Sequence, residues 1–146
     1  MKKILIINGP NINFVGIRQK DIYGNKTYLD LVTECEKHGK EIGVDLEVYQ
    51  SNHEGDIIDK IQEAYFAKVD GIIINAGGYT HTSIAIMDAL KGSAIPTIEV
   101  HLSNIYEREE YRHVSYIKEA SIHSIIGKGF DGYIEALDYL KEYLEK

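Results

Sequence analysis

The chain has 146 residues, of which 44% are hydrophobic and 27% charged, a balance that favours one soluble globular domain. Its formal net charge of −7 argues against nucleic acid as a partner, because phosphate binding needs a basic surface. Cys35 is the single cysteine, so a disulfide within the chain is excluded and a cysteine-based metal site is disfavoured.

Hydrophobic periodicity predicts strands that alternate with helices along the whole chain. The strands are predicted at 4–7, 44–49, 71–74, 95–103 and 121–127, and the helices at 28–42, 57–65, 84–90 and 130–144. This alternation predicts parallel strands with right-handed crossovers and helices on both faces. The first and third strands are apolar throughout, whereas the second and fifth carry polar residues. We therefore predict an α/β flavodoxin-like three-layer sandwich with strand order 2-1-3-4-5.

No linker, repeat or low-complexity tract divides the chain, so residues 1–146 are predicted to form one domain. Residues 11–26, between the first strand and the first helix, exceed the roughly 2–6 residues usual for such a connection. Gly16 and Gly24 bracket a polar, partly cationic segment there. The segment suits either a lid over a binding site or an ordinary surface loop.

Met1-Lys2-Lys3 precede an apolar run of four residues, which is too short for a signal peptide. No apolar run reaches the roughly 20 residues of a membrane-spanning helix. We therefore expect a cytoplasmic protein that has no membrane partner.

The fourth strand ends in a Glu-x-His pair, Glu99 and His101, followed by Leu102 and Ser103. Residues two apart on a strand share a face, so the carboxylate can fix the tautomer of the imidazole and raise its basicity. Ser103 adds a hydroxyl and a backbone N–H nearby. A lone Glu-x-His pair is more often structural than catalytic, and these residues alone leave both interpretations open.

Ligands of such sheets bind beyond the carboxyl ends of the strands, where the predicted topology gathers several polar side chains. These are Asn8, Asn11, Asn75, His81, His101 and Ser103. The three arginines of the chain, Arg18, Arg108 and Arg112, lie on connections at the same edge. Guanidinium groups there suit a substrate carboxylate or a developing negative charge.

Tyr23 lies in the same long loop as Arg18. A phenol titrates near pH 10 and becomes a base only when its anion is stabilised, which a nearby guanidinium would do. A loop tyrosine is also an ordinary packing residue. The residues therefore suggest acid–base chemistry on a small anion, without defining the reaction.

A metal site built from His53, His81, Glu99 and His101 does not match the usual zinc spacings. The chain also lacks a carboxylate-rich cage for a hard cation. Neither a Walker A sequence nor the dinucleotide fingerprint is present. We therefore expect no metal.

Four segments together resemble the type II 3-dehydroquinate dehydratase family. They are NGPNINFVGIRQKDIYG from residue 8, SNHEG from 51, NAGGYTHTS from 75 and EVHLSNIYEREEYRHVSYI from 99. The resemblance implies dehydration of 3-dehydroquinate to 3-dehydroshikimate in the shikimate pathway of chorismate and aromatic amino acid biosynthesis. It also implies anti elimination through an enolate, with no cofactor, metal or Schiff base.

Carried over by position, the resemblance implies a set of catalytic residues. Tyr23 would be the base beside the ketone, with its pKa lowered by Arg18. Asn11 would stabilise the enolate oxygen through an ordered water, and His101, oriented by Glu99, would protonate the departing hydroxyl. Tyr23 and His101 are expected in exposed strand-end loops, so that replacing either spares the fold.

The resemblance also implies how the substrate binds. Asn75, Leu102 and Ser103 would hold its carboxylate, using side-chain and backbone donors. His81 and Arg112 would hold the ring hydroxyls.

Asp88, on the third helix, would in this resemblance reach the substrate of a neighbouring subunit. That implies a homotrimer, which the family commonly stacks into a homododecamer. The chain departs from the family pattern at Gln19-Lys20, where Glu-Pro is frequent, and at Ala76, where proline is frequent. These departures are expected to loosen the lid and to soften the carboxylate pocket.

Two other functions stay open on these residues. A flavodoxin-like module could hold FMN or an anion in these loops without catalysis. A lyase of the same fold could act on a different small keto acid.

Overall fold

Five parallel strands form a single sheet in the computed structural model, which describes residues 1–17 and 25–146. The strands are β1 (Lys3–Asn8), β2 (Asp45–Gln50), β3 (Gly71–Asn75), β4 (Thr97–His101) and β5 (His123–Ile126). Their order in the sheet is β2-β1-β3-β4-β5, and every neighbouring pair is parallel. The predicted flavodoxin-like order is therefore confirmed.

Helices cover both faces of the sheet, which confirms the predicted three layers. They are α1 (Tyr28–Ile42), α2 (Glu54–Phe66), α3 (Ile84–Ser93) and α4 (Asp131–Leu144). The apolar faces of α1 and α4 share one buried cluster with the sheet, and those of α2 and α3 share the other. In the residues that the structure describes, none of these helices is long and apolar enough to cross a membrane.

Local sequence signals explain the limits of α1. The side chain of Thr27 accepts a hydrogen bond from the backbone N–H of Asp30, and the Asp30 carboxylate accepts one in return from the N–H of Thr27. This predicted capping box satisfies donors that a helix start leaves unpaired. Gly43 then ends the helix at a φ of 76°, which favours glycine.

The ends of β1 and β3 lie side by side. Asn8 and Asn75 are paired in register, and the N–H of Gly9 donates to the carbonyl of Asn75 at 2.8 Å. A Cβ at Gly9 would lie 2.4 Å from the carbonyl oxygen of Ala76, so this close approach requires glycine. The two asparagine side chains are thereby held beneath the carboxyl edge of the sheet.

Candidate active site

A cleft of about 270 Å³ opens at the carboxyl ends of the central strands. It brings together most of the residues predicted for the site. They are Asn11, Asn75, His81, His101, Leu102, Ser103 and Arg112, and the structure adds Arg108.

Four other predicted residues have different outcomes. Glu99 does not line the cleft but lies behind His101, where only 1% of it is exposed. Asp88 lies on α3, beside a separate groove between α2 and α3. Tyr23 and Arg18 lie outside the described residues.

The Glu99 carboxylate accepts three hydrogen bonds from side chains in the described part of the chain. It accepts from Nε2 of His101 at 2.7 Å, from Oγ of Ser124 at 2.7 Å, and from Oγ of Ser115. Burial by itself would raise the pKa of Glu99. The hydrogen bond and charge of His101, together with the two serine hydroxyls, lower that pKa below its usual value. Glu99 is therefore an anion at neutral pH.

An anionic Glu99 fixes the tautomer of His101. Nε2 must carry the hydrogen that is donated to the carboxylate, so Nδ1 is the nitrogen left for a ligand in the cleft. The expectation that His101 lies in an exposed loop was wrong. It is the last residue of β4 and is 5% exposed, because the strand continues to the buried edge of the cleft.

His81 faces the cleft with its ring neutral. Its Nδ1 donates to the carbonyl of Val114 at 2.7 Å, which leaves Nε2 as an acceptor. Burial is the largest cause that lowers the pKa of His81, and it outweighs the hydrogen bond to Val114. The electrostatic effects of His101 and of the Arg112 guanidinium lower the pKa further.

Asn75 is held with its amide in one orientation. Its Oδ1 accepts from the backbone N–H of Gly77 at 3.2 Å, and its Nδ2 donates to the hydroxyl of Tyr133 at 3.0 Å. Ala76, where the family often has proline, holds a φ of −75°. This angle lies within the range that proline imposes, so the backbone φ at this position suits proline as well as alanine.

Two guanidinium groups give the cleft a cationic side. Nη1 of Arg108 donates to Oγ of Ser103 at 3.4 Å, and Nε of Arg112 donates to the Glu109 carboxylate at 2.8 Å. The sequence placed Arg108 at this edge but assigned it no role. Two arginines beside amide and hydroxyl donors suit a small anionic ligand.

The start of the first loop is tied to the loop after β2. Asn11 has a φ of 68°, and its backbone N–H donates to Oδ1 of Asn52 at 3.1 Å. Nε2 of Gln50 donates to the same Oδ1 at 3.0 Å and to the carbonyl of Gly9 at 3.1 Å. These bonds hold Asn11 at the rim of the cleft.

In residues 1–17 and 25–146, no group of three His, Cys, Asp or Glu side chains is placed to hold a metal ion. The donor set of the cleft instead combines an imidazole backed by a carboxylate with cationic and amide groups. This arrangement can exchange a proton with a bound anion.

Replacing Glu99 by glutamine is expected to lower the free energy of unfolding by about 1–3 kcal/mol at neutral pH. The folded-state pKa of Glu99 lies below the ordinary value of 4.5, so its ionised form stabilises the fold above that pH. The contribution is lost as pH falls through the folded-state pKa. Urea unfolding of both proteins should therefore show a difference in the free energy of unfolding at neutral pH that narrows as the pH falls below 4.5.

The matched control for this variant is Glu135→Gln. Glu135 pairs with Lys128 on the surface, where 44% of the glutamate side chain is exposed. Its replacement should change the free energy of unfolding by less than about 1 kcal/mol. If the difference in free energy of unfolding between Glu99→Gln and the wild type stayed constant down to pH 3, Glu99 would not be an ionised, stabilising group.

Known proteins resemble this chain over nearly its full length. Residues 2–141 match the family model described as dehydroquinase class II. A 3-dehydroquinate dehydratase of Caldicellulosiruptor bescii is 57% identical over 99% of this chain and 100% of its own length. One from Clostridium acetobutylicum is also 57% identical, over 99% of each chain.

A solved structure of a type II dehydroquinase from Butyrivibrio crossotus superposes with a TM-score of 0.95. It is 55% identical, and the match covers 96% of this chain and 97% of that one. Both the sequence and the fold are thus similar over nearly the full length. The chain belongs to the class II dehydroquinase family.

Proposed function

We propose that the chain is a hydro-lyase that removes water from 3-dehydroquinate to give 3-dehydroshikimate, in the shikimate pathway of the cytoplasm. The observation that carries this proposal is the Glu99–His101 pair at 2.7 Å, which presents an imidazole to a cleft with two arginines. Relatives named 3-dehydroquinate dehydratase, at 54–57% identity, support the same reaction.

The proposed reaction is an anti elimination through an enolate. Tyr23 would remove the proton beside the ketone, with Arg18 stabilising its phenolate. These two roles rest on the family resemblance alone. Asn11, at the rim of the cleft, would stabilise the enolate oxygen through a water as charge develops.

His101 would then act as the acid for the departing hydroxyl. His101 lines the cleft and Nδ1 is its nitrogen not bonded to Glu99, so a proton on Nδ1 would make the ring an imidazolium that the buried carboxylate stabilises. Protonation lets a poor leaving group depart as water. His101 donates that proton as the carbon–oxygen bond breaks, and the enolate electrons form the new double bond.

The substrate carboxylate would bind at the bottom of the cleft. The second N–H of Asn75 Nδ2 is available there, beside Leu102 and Ser103 at the end of β4. Nε2 of His81 can accept from a ring hydroxyl, and Arg112 can donate to another. We further propose that residues 11–26 of this single domain act as the lid, which would exclude water from the enolate.

The test is to incubate the protein with 3-dehydroquinate and to follow the ultraviolet absorbance of the conjugated product. We expect turnover that is unchanged by a chelator and by borohydride in the presence of substrate. No product would overturn the proposed function. Loss of activity to the chelator or to borohydride would overturn the metal-free, imine-free route.

We also propose that the working unit is a homotrimer, stacked into a homododecamer. Asp88 lies beside an exposed apolar surface formed by α2 and α3. Phe66 is 80% exposed and Tyr65 55%. Large apolar side chains that are exposed together favour an interface with a second copy of the chain.

Mixing two defective subunits tests the role of Asp88 across that interface. We expect Asp88→Ala to raise KM about tenfold, because one charged hydrogen bond is lost. Co-refolding it with His101→Ala should restore activity, since a mixed trimer pairs an intact His101 with an intact Asp88. Asp88→Ala mixed with the double variant is the matched control and should show no gain, because every intact His101 in it faces an alanine at position 88. A mixture no more active than its parts would contradict a role across subunits.

A further inference from the structure

We propose that Tyr133 is a positioning residue for substrate binding, because it holds the Asn75 amide in the orientation that donates to the substrate carboxylate. This inference rests on the proposed function. Tyr133 lies on α4, its exposure is 0%, and it does not line the cleft. It therefore acts through Asn75 rather than on the substrate.

The hydrogen bonds around Tyr133 can run in only one direction. The N–H of Gly77 must donate, so the atom of Asn75 that faces it is Oδ1 and the atom that faces Tyr133 is Nδ2. The Tyr133 hydroxyl accepts this bond at 3.0 Å and donates its own hydrogen to Oδ1 of Asn8 at 2.6 Å. Nδ2 of Asn8 then donates to the hydroxyl of Tyr28 at 3.3 Å.

The fold makes this arrangement specific. Asn8 and Asn75 are paired in register at the ends of β1 and β3, and a single phenol hydroxyl from α4 joins both amides. A buried hydroxyl is costly unless it is satisfied, whereas phenylalanine would fill nearly the same apolar space without that requirement. Burial raises the pKa of Tyr133, so the hydroxyl keeps the hydrogen that it donates.

Asn75 has two hydrogens on Nδ2, and Tyr133 receives one of them. The planar amide then directs the other hydrogen into the cleft that Asn75 lines. Without the Tyr133 hydroxyl, the bond from Gly77 alone would hold the side chain, and the amide could rotate away from the carboxylate position. The loss would fall on substrate binding rather than on the proton transfers.

The test is Tyr133→Phe, with kcat and KM measured for 3-dehydroquinate and the inhibition constant measured for 3-dehydroshikimate. We expect KM and the inhibition constant to rise about tenfold or more, as for one lost hydrogen bond to a charged group. We expect kcat to stay within about threefold, because the interaction is made equally in the ground state and the transition state. Unchanged KM and inhibition constant in a folded variant would overturn the inference.

Two controls separate positioning from stability. Tyr143→Phe removes an exposed phenol hydroxyl from the same helix and should change neither constant. Leu140→Val weakens the buried face of α4 and should lower Tm without raising KM. If Leu140→Val raised KM as much as Tyr133→Phe did, the effect would be structural and the inference would fail.

Asn8→Ala is the second variant, and it decides the question if Tyr133→Phe does not fold. Asn8 is fully buried and does not line the cleft, yet it accepts the hydrogen of Tyr133. Its loss should therefore raise KM in the same way, and an unchanged KM would overturn the inference. If the wild type turns over substrate and these variants keep its KM, only the role of Tyr133 is refuted. A wild type without turnover refutes the proposed function instead.

Discussion

Replacing His101 by alanine should lower kcat for 3-dehydroquinate by about 10²–10⁴-fold, the usual contribution of a positioned general acid. Nε2 of His101 is committed to Glu99 at 2.7 Å, so Nδ1 is the one ring nitrogen that can serve the substrate. Alanine leaves no proton donor at that place. Water is a poor substitute for this acid, because His101 is only 5% exposed and solvent has little access to this position.

The same variant should also be less stable than the wild type. Glu99 would keep its two serine donors but lose the hydrogen bond from Nε2 of His101 in a buried position, which typically costs about 1–3 kcal/mol. Circular dichroism and urea unfolding must therefore accompany the kinetics. Kinetic assays are valid at temperatures where the variant is still folded.

His38→Ala is the matched control for His101→Ala. His38 also contacts a carboxylate at 2.7 Å, that of Asp138, but the pair lies between α1 and α4 rather than at the cleft. Its replacement should leave kcat within about twofold and change stability by less than about 1 kcal/mol. A folded His101→Ala protein with wild-type kcat would show that His101 is structural.

Replacing Tyr23 by phenylalanine should also lower kcat by about 10²–10⁴-fold, because the proposed base is lost. The shape of the ring is kept and only the hydroxyl is removed. A phenol works as a base when its anion is stabilised, so Arg18→Met should lower kcat in the same direction. Tyr143→Phe, on the exposed side of α4, is the control and should be indistinguishable from the wild type.

Hydrogen exchange separates the two variants. Tyr23→Phe should recover substrate with no deuterium from heavy water beside the ketone, because proton removal is blocked. His101→Ala should still incorporate deuterium there, since the enolate forms and returns when the hydroxyl cannot depart. Incorporation by Tyr23→Phe at the rate of His101→Ala would contradict Tyr23 as the base.

Most of the fold could be predicted from hydrophobic patterns. The uninterrupted apolar runs at Ile4 and Ile72 belong to strands with helices on both faces, and the structure buries both residues fully. The polar residues of β2 and β5 marked edge strands, as the sheet order confirms. The Thr27 capping box and Gly43 also act as predicted, because both are short-range backbone effects.

Part of the site could also be predicted from local sequence patterns. Glu99 and His101 share a face because side chains alternate along a strand, and the 2.7 Å hydrogen bond confirms it. The spacing of the family segments identified Asn75 and His81, which the cleft brings together with His101. These relations depend on local geometry and on which strand ends meet.

The tertiary structure alone decided which groups support the site. Ser124 reaches Glu99 because the two residues are paired in register across β4 and β5, a relation that no local pattern encodes. The sequence pattern indicates only that Tyr133 belongs to the apolar face of the last helix, yet its hydroxyl is hydrogen-bonded to both Asn8 and Asn75. The sequence by itself determined the sheet, the Glu-x-His pair and the family. Packing between elements distant in the chain decided the burial of His101 and the partners of each amide, because hydrogen-bond direction depends on three-dimensional neighbours.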